Sequence, residues 1–112
     1  MKELTVIIPF LNERHEVENT LNSLIDHTDE PINIIVINDA SDDGYNYDTL
    51  KEKYNITYIK NRERIGVAEC RNFGIKSMET EYFLLLDAHM RFYTKDWYKT
   101  LLKALRNNPK SI

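Results

Sequence analysis

Cys70 is the single cysteine in 112 residues, which excludes an internal disulfide and fits a reducing compartment. Glycine is also scarce, at three residues, and none lies in the loop Pro9 to Glu13 that ends the first apolar run. A G-x-G-x-x-G dinucleotide fingerprint and a glycine-rich triphosphate cradle are thereby excluded. Positive charge is not in excess. The net charge of -3 gives no global attraction to nucleic acid or anionic lipid. Aromatic residues make up 11% of the chain and are scattered, without the aromatic-basic ladder of a single-strand binder. The three histidines, His15, His27 and His89, have no zinc-type spacing with cysteine. Long apolar runs are missing too, since Val6 to Leu11 is interrupted by Pro9 and too short for a signal or spanning segment. These absences predict no nucleic-acid partner, no membrane segment within this chain, and a cytoplasmic location, at most the cytoplasmic face of a membrane. They leave the oligomeric state open.

What remains is ordinary for a packed domain, with 42% hydrophobic and 29% charged residues. Leu4 to Phe10 is rich in Val and Ile and reads as a strand buried on both faces, stopped by Pro9. Asn12 is placed to cap a helix whose apolar stripe is Val17, Leu21, Leu24 and Ile25, ending by Asp29 to Pro31. Ile32 to Ile37 is a second strand, broken by the turn-forming run Asn38 to Gly44. A short helix over Asp48 to Tyr54, a strand over Ile56 to Ile59, a helix over Gly66 to Met78 and a strand over Tyr82 to Leu86 follow. Thr94 then caps a last helix with Trp97, Leu101, Leu102 and Leu105 on one side. Strands alternating with helices predict an α/β fold, a parallel βαβα sheet sandwiched by helices. The sequence halts where a further strand is expected, which suggests a single domain, 1–112, truncated at its C-terminus.

Ligands of open parallel sheets sit beyond the carboxyl ends of the strands. Three polar clusters fall there: Phe10 to Glu13, Asn38 to Gly44, and Asp87 to His89. In extended backbone Asp87 and His89 project to one side and can share a cation such as Mn²⁺. The plainer alternative makes Asp87 a turn residue and His89 a solvated one. Asp39 is placed to accept from a base or ribose, or else to stabilise its own turn. Arg71, near the start of the helix that follows Gly66, is suited to an anionic group or to a solvated face.

Taken in order, these clusters resemble the family 2 glycosyltransferases, which have the Rossmann-like GT-A nucleotide-sugar-binding fold. Val6-Ile7-Ile8-Pro9-Phe10-Leu11-Asn12-Glu13 is similar to that family's opening strand and loop. Ile35-Val36-Ile37-Asn38-Asp39-Ala40-Ser41-Asp42-Asp43-Gly44 is similar to its V-D-D-G-S-x-D segment, with Asn38 in place of the first acid. Asn61 to Asn72, with Gly66, Ala68 and Arg71, is similar to N-x-G-x-a-x-a-R-N, and Tyr82 to His89 to the strand entering the Asp-x-Asp metal motif. The resemblance implies a UDP-sugar donor, with Pro9, Phe10 and Glu13 lining the uridine pocket and Asp39 accepting from the uracil. It also implies Arg71 near base and ribose, Ala88 against the ribose, and Asp87 on a divalent cation bridging the diphosphate. The departure is His89 at the usual last acid. Asp-x-His is similar to the polypeptide N-acetylgalactosaminyltransferases, which implies His89 as a second ligand and manganese in preference to magnesium. No catalytic base is identifiable. It is expected beyond Ile112, together with an acceptor that is left open as saccharide, lipid or protein. The isolated 112 residues are expected to bind the donor without transferring sugar.

Overall fold

A computed structural model describes residues 3–107. Four parallel strands, β1 (Leu4–Phe10), β2 (Asn33–Asn38), β3 (Thr57–Lys60) and β4 (Tyr82–Leu85), form one sheet in the order β3-β2-β1-β4. Helices α1 (Glu16–Asp26), α2 (Leu50–Lys53), α3 (Val67–Ser77) and α4 (Trp97–Asn107) connect or follow them, with a 3₁₀ turn over Tyr47–Thr49 ahead of α2. The α/β class read from the sequence is the observed one.

Side-chain alternation along β1 sorts the core into two layers. Leu4, Val6, Ile8 and Phe10 face one way and meet Val17, Leu21 and Leu24 of α1, Leu50 of α2, and Tyr98, Leu102 and Leu105 of α4. Ile7 faces the other way and packs with Ile35, Ile37 and Cys70. Each fully buried aliphatic side chain here contributes about 1.5–3 kcal/mol. α3 covers this second face with only Cys70 and Gly74 buried. The contact is close because Gly74 has no side chain: a Cβ there would lie 2.6 Å from Ile7 Cγ2.

Pro9 does not stop β1, which runs on through it, paired with Ile37. It stops β4 instead. The Ile7 carbonyl accepts from Leu86 N–H at 2.9 Å, and the next bond of a parallel ladder would run from residue 9 to the Leu86 carbonyl. Proline has no N–H to give. Pairing therefore ends at Leu85, opposite Ile7, and the chain leaves the sheet just before Asp87.

Other expectations shift. Ile25 is 42% exposed rather than core. β3, expected over Ile56 to Ile59, spans Thr57–Lys60 and has both ends exposed. α4 begins at Trp97, and Thr94 Oγ1 accepts from Asp96 N–H in the turn ahead of it. Among the described residues no helix is long and apolar enough to cross a membrane.

Candidate functional site

The loop after β1 is built on two left-handed residues, Asn12 (φ 55°) and Arg14 (φ 51°). Asn12 does not cap α1, which starts after His15 with no side-chain cap. Its side chain crosses to the loop after β2 instead. Oδ1 accepts from Asp42 N–H at 2.8 Å and Nδ2 donates to Asp42 Oδ1 at 2.9 Å. Asn12 N–H also donates to Ser41 Oγ at 3.0 Å. Arg14 N–H donates to the Tyr47 hydroxyl at 2.7 Å, and that hydroxyl donates to Asp43 Oδ2 at 2.6 Å. Burial and the neighbouring Asp43 push the Tyr47 hydroxyl up to about 12. The first two loops are thus a single cross-linked unit.

Asp39 directly follows β2 and is 5% exposed. Its backbone N–H continues the ladder to the Phe10 carbonyl at 2.9 Å. Its carboxylate accepts from Ile65 N–H at 2.9 Å, Gly66 N–H at 3.0 Å and the Asn61 amide at 3.1 Å. Burial opposes ionisation, but these donors outweigh it and hold the carboxyl below the usual aspartate range. Gly66 has φ 88° and no capping side chain of its own, so Asp39 serves the amino end of α3 from another loop. The turn role open to Asp39 falls to its neighbour: Asn38 Oδ1 accepts from Ser41 N–H at 2.9 Å. Beneath them, burial and nearby Asp39 push the Cys70 thiol up to about 11.

Asp87 is exposed, with Arg71 Nη2 3.7 Å from its Oδ1. Arg71 Nε is buried without a hydrogen-bond partner among the described residues. Asp39 and Asp87, at the ends of strands flanking β1, therefore both meet the first turns of α3. His89 turns the other way, its Nδ1 3.3 Å from Glu13 Oε2. The extended Asp-x-His geometry is not what forms, because Ala88 and His89 lie in a turn. Ala88 is 2% exposed, and its carbonyl accepts from Thr20 Oγ1 at 2.7 Å. Phe10 and Pro9 are buried, with the Phe10 ring 4.7 Å from that of Tyr47, so these two can face a ligand only through backbone. Among the described residues no three His, Cys, Asp or Glu side chains gather as a metal cage. A cation here would need ligand oxygens to complete its shell, which suits an ion that also grips a diphosphate.

Sequence reasoning missed Thr20 and Tyr47, and gave Asn61, the first residue of its third motif, no part in holding Asp39. Thr20 had a signal, since the spacing of Val17, Leu21 and Leu24 puts position 20 on the buried side of α1. Three cavities, of ≈ 400, 490 and 280 Å³, share no residue with this site. Their walls include Ile32, Glu3 and Thr5, at the amino ends of the strands. They are packing clefts at the opposite rim of the sheet from Asp39 and Asp87.

The profile of Glycosyl transferase family 2 matches residues 5–112. The chain belongs to this family. This family 2 chain is 33% identical over 92 residues to a teichoic acid poly(glycerol phosphate) polymerase of Staphylococcus epidermidis, covering 79% of the chain and 13% of the relative. It is 29% identical over 115 residues to polypeptide N-acetylgalactosaminyltransferase 4 of Caenorhabditis elegans, covering 100% and 19%. Among solved structures, a mannosyltransferase from Pyrobaculum calidifontis in complex with GDP-Man and Mn²⁺ superposes with a TM-score of 0.81 at 26% identity. That match covers 92% of this chain and 32% of the other. The chain thus spans well under half the length of these relatives.

Proposed function

We propose that residues 1–112 form the donor-binding domain of a glycosyltransferase that takes a UDP-sugar with a divalent cation and transfers the sugar to an acceptor hydroxyl. The observation that carries this reading is the convergence of Asp39 and Asp87 on the amino end of α3. That arrangement can hold a nucleoside diphosphate across the end of β1. Asp39, kept ionised, accepts from the base, and the backbone of Pro9 and Phe10 forms the floor. Arg71, with an unsatisfied Nε, donates to ribose or phosphate, and the Ala88 backbone approaches the ribose. Asp87 and His89 hold the cation, for which a carboxylate-imidazole pair favours Mn²⁺ over Mg²⁺. When bound, the cation offsets the negative charge that develops on the departing diphosphate. The general base and the acceptor site belong to other residues of the full-length protein. The free, buried thiol of Cys70 suits a cytoplasmic setting.

Calorimetric titration with UDP, with and without Mn²⁺, tests the reading. UDP should bind at least tenfold more tightly with Mn²⁺ (an order-of-magnitude expectation for a bridging cation), and Asp87→Ala should abolish the difference. GDP should compete poorly. Equal binding of GDP would remove the uridine assignment, and no effect of Mn²⁺ on the unmodified chain would remove the cation site.

A further inference from the structure

Helix α1 carries a partly buried polar stripe. Glu16, Thr20 and Ser23 recur at helical spacing and meet the connection between β4 and α4, and His27, just past the end of α1, meets Trp97 at the start of α4. Glu16 Oε2 accepts from Arg91 Nη2 at 2.9 Å. Thr20, fully buried, donates to the Ala88 carbonyl at 2.7 Å. Ser23 Oγ accepts from Phe92 N–H at 2.6 Å and donates to the Phe92 carbonyl at 3.3 Å. The His27 carbonyl and Thr28 Oγ1 both accept from Trp97 Nε1 at 3.0 Å. Residues 88–92 lie outside any strand or helix, and the Ala88 carbonyl and both Phe92 backbone groups find partners on α1 instead.

Thr20 holds the most consequential of these contacts. Ala88 stands between Asp87 and His89, and its carbonyl belongs to the peptide that joins it to His89. Fixing that peptide fixes the backbone origin of His89 directly, and the buried Ala88 carries the restraint one peptide further, to Asp87. A buried hydroxyl with a 2.7 Å bond is a firmer anchor than the exposed ion pairs that Asp87 and His89 make. We propose that Thr20 is a positioning residue for the cation-binding pair Asp87 and His89, acting through the Ala88 carbonyl. The proposal rests on the reading of those two residues as the cation ligands.

Thr20→Val removes the hydroxyl and keeps the side-chain shape. It should weaken UDP binding in Mn²⁺ by about tenfold, the lower end of the range for groups that orient metal ligands, and weaken metal-free UDP binding by much less, because only the Ala88 contact to the ribose is then affected. Amide exchange over residues 88–92 should accelerate, and Thr20→Ser should restore both readouts. Ser23→Ala, which releases Phe92 from a less buried position, should weaken Mn²⁺-dependent binding by roughly threefold. It serves as the test should Thr20→Val not fold. Equal losses with and without Mn²⁺ in either variant would make the stripe structural glue only, and no loss in either would overturn the proposal outright. If the unmodified chain shows Mn²⁺-dependent binding that Asp87→Ala abolishes, a null result for Thr20 rejects positioning alone. If the unmodified chain shows none, the cation reading itself has failed.

Discussion

Glu13 Oε2 stands 3.3 Å from His89 Nδ1, bringing a residue of the first strand-end loop onto one of the third. Glu13 was expected beside uridine. Its partner in the structure is an expected metal ligand. With Nδ1 protonated and donating to Glu13, the imidazole presents Nε2 as its free donor to a cation. Glu13→Ala should therefore weaken Mn²⁺-dependent UDP binding by about tenfold, measured by titration or by Mn²⁺ electron paramagnetic resonance. If His89→Ala weakens binding and Glu13→Ala does not, the carboxylate has no orienting part.

Asp39 couples the site to folding. Its carboxyl is depressed in the folded state, so its contribution is complete above the unfolded aspartate value near ~3.9 and fades as the pH falls through the lower folded value. Asp39→Ala leaves the N–H groups of Ile65 and Gly66 without this acceptor and should cost about 2–3 kcal/mol. Urea unfolding at pH 7 and at pH 3 should show a smaller difference between variant and parent at the lower pH. A difference independent of pH would mean that the carboxylate charge is not what α3 requires.

Gly74 should not accept a methyl group. The Cβ would press on Ile7 Cγ2 at 2.6 Å, and Ile7 is a fully buried, β-branched residue of a central strand. Overpacking of about 1–3 kcal/mol outweighs the gain of up to ~1 kcal/mol that alanine brings to a helix interior. Gly74→Ala should lower the melting temperature by several degrees, and an unchanged or raised value would show that α3 can shift at no cost.

Ala40 presents the opposite case, with φ 59° where the family pattern has glycine. A left-handed alanine costs roughly 1–2 kcal/mol, and glycine gives back about 0.5–1 through its freer unfolded chain. Ala40→Gly should therefore stabilise the chain by about 0.5 kcal/mol, read from the urea midpoint. A lower midpoint would argue that this turn carries no strain.

Much of this was legible in the sequence, and for physical reasons. The β1, β2 and β4 segments are short and apolar, so their existence and order followed from composition, and the strand-end position of Asp39 and Asp87 followed from the order. Long-range partners were not legible. Asn12 looked like a helix cap because it precedes α1, yet its amide is taken by Asp42, 30 residues away. His89 looked paired with Asp87 because the two are close in sequence. The turn at Ala88 sends them instead toward Glu13 and Arg71. Local spacing says which residues can point the same way, whereas the choice among partners depends on loops crossing in space.

The location of Asp87 is set by β1 as well as by β4. Because Pro9 has no hydrogen to offer, the neighbouring strand can zip no further than Leu85, and the next carboxylate is released at the rim where a charged guest can be met. An N–H at position 9 would invite the zipper to close one step more and draw Asp87 toward the sheet. A missing donor on one strand thus acts as the ruler for an acidic group on another.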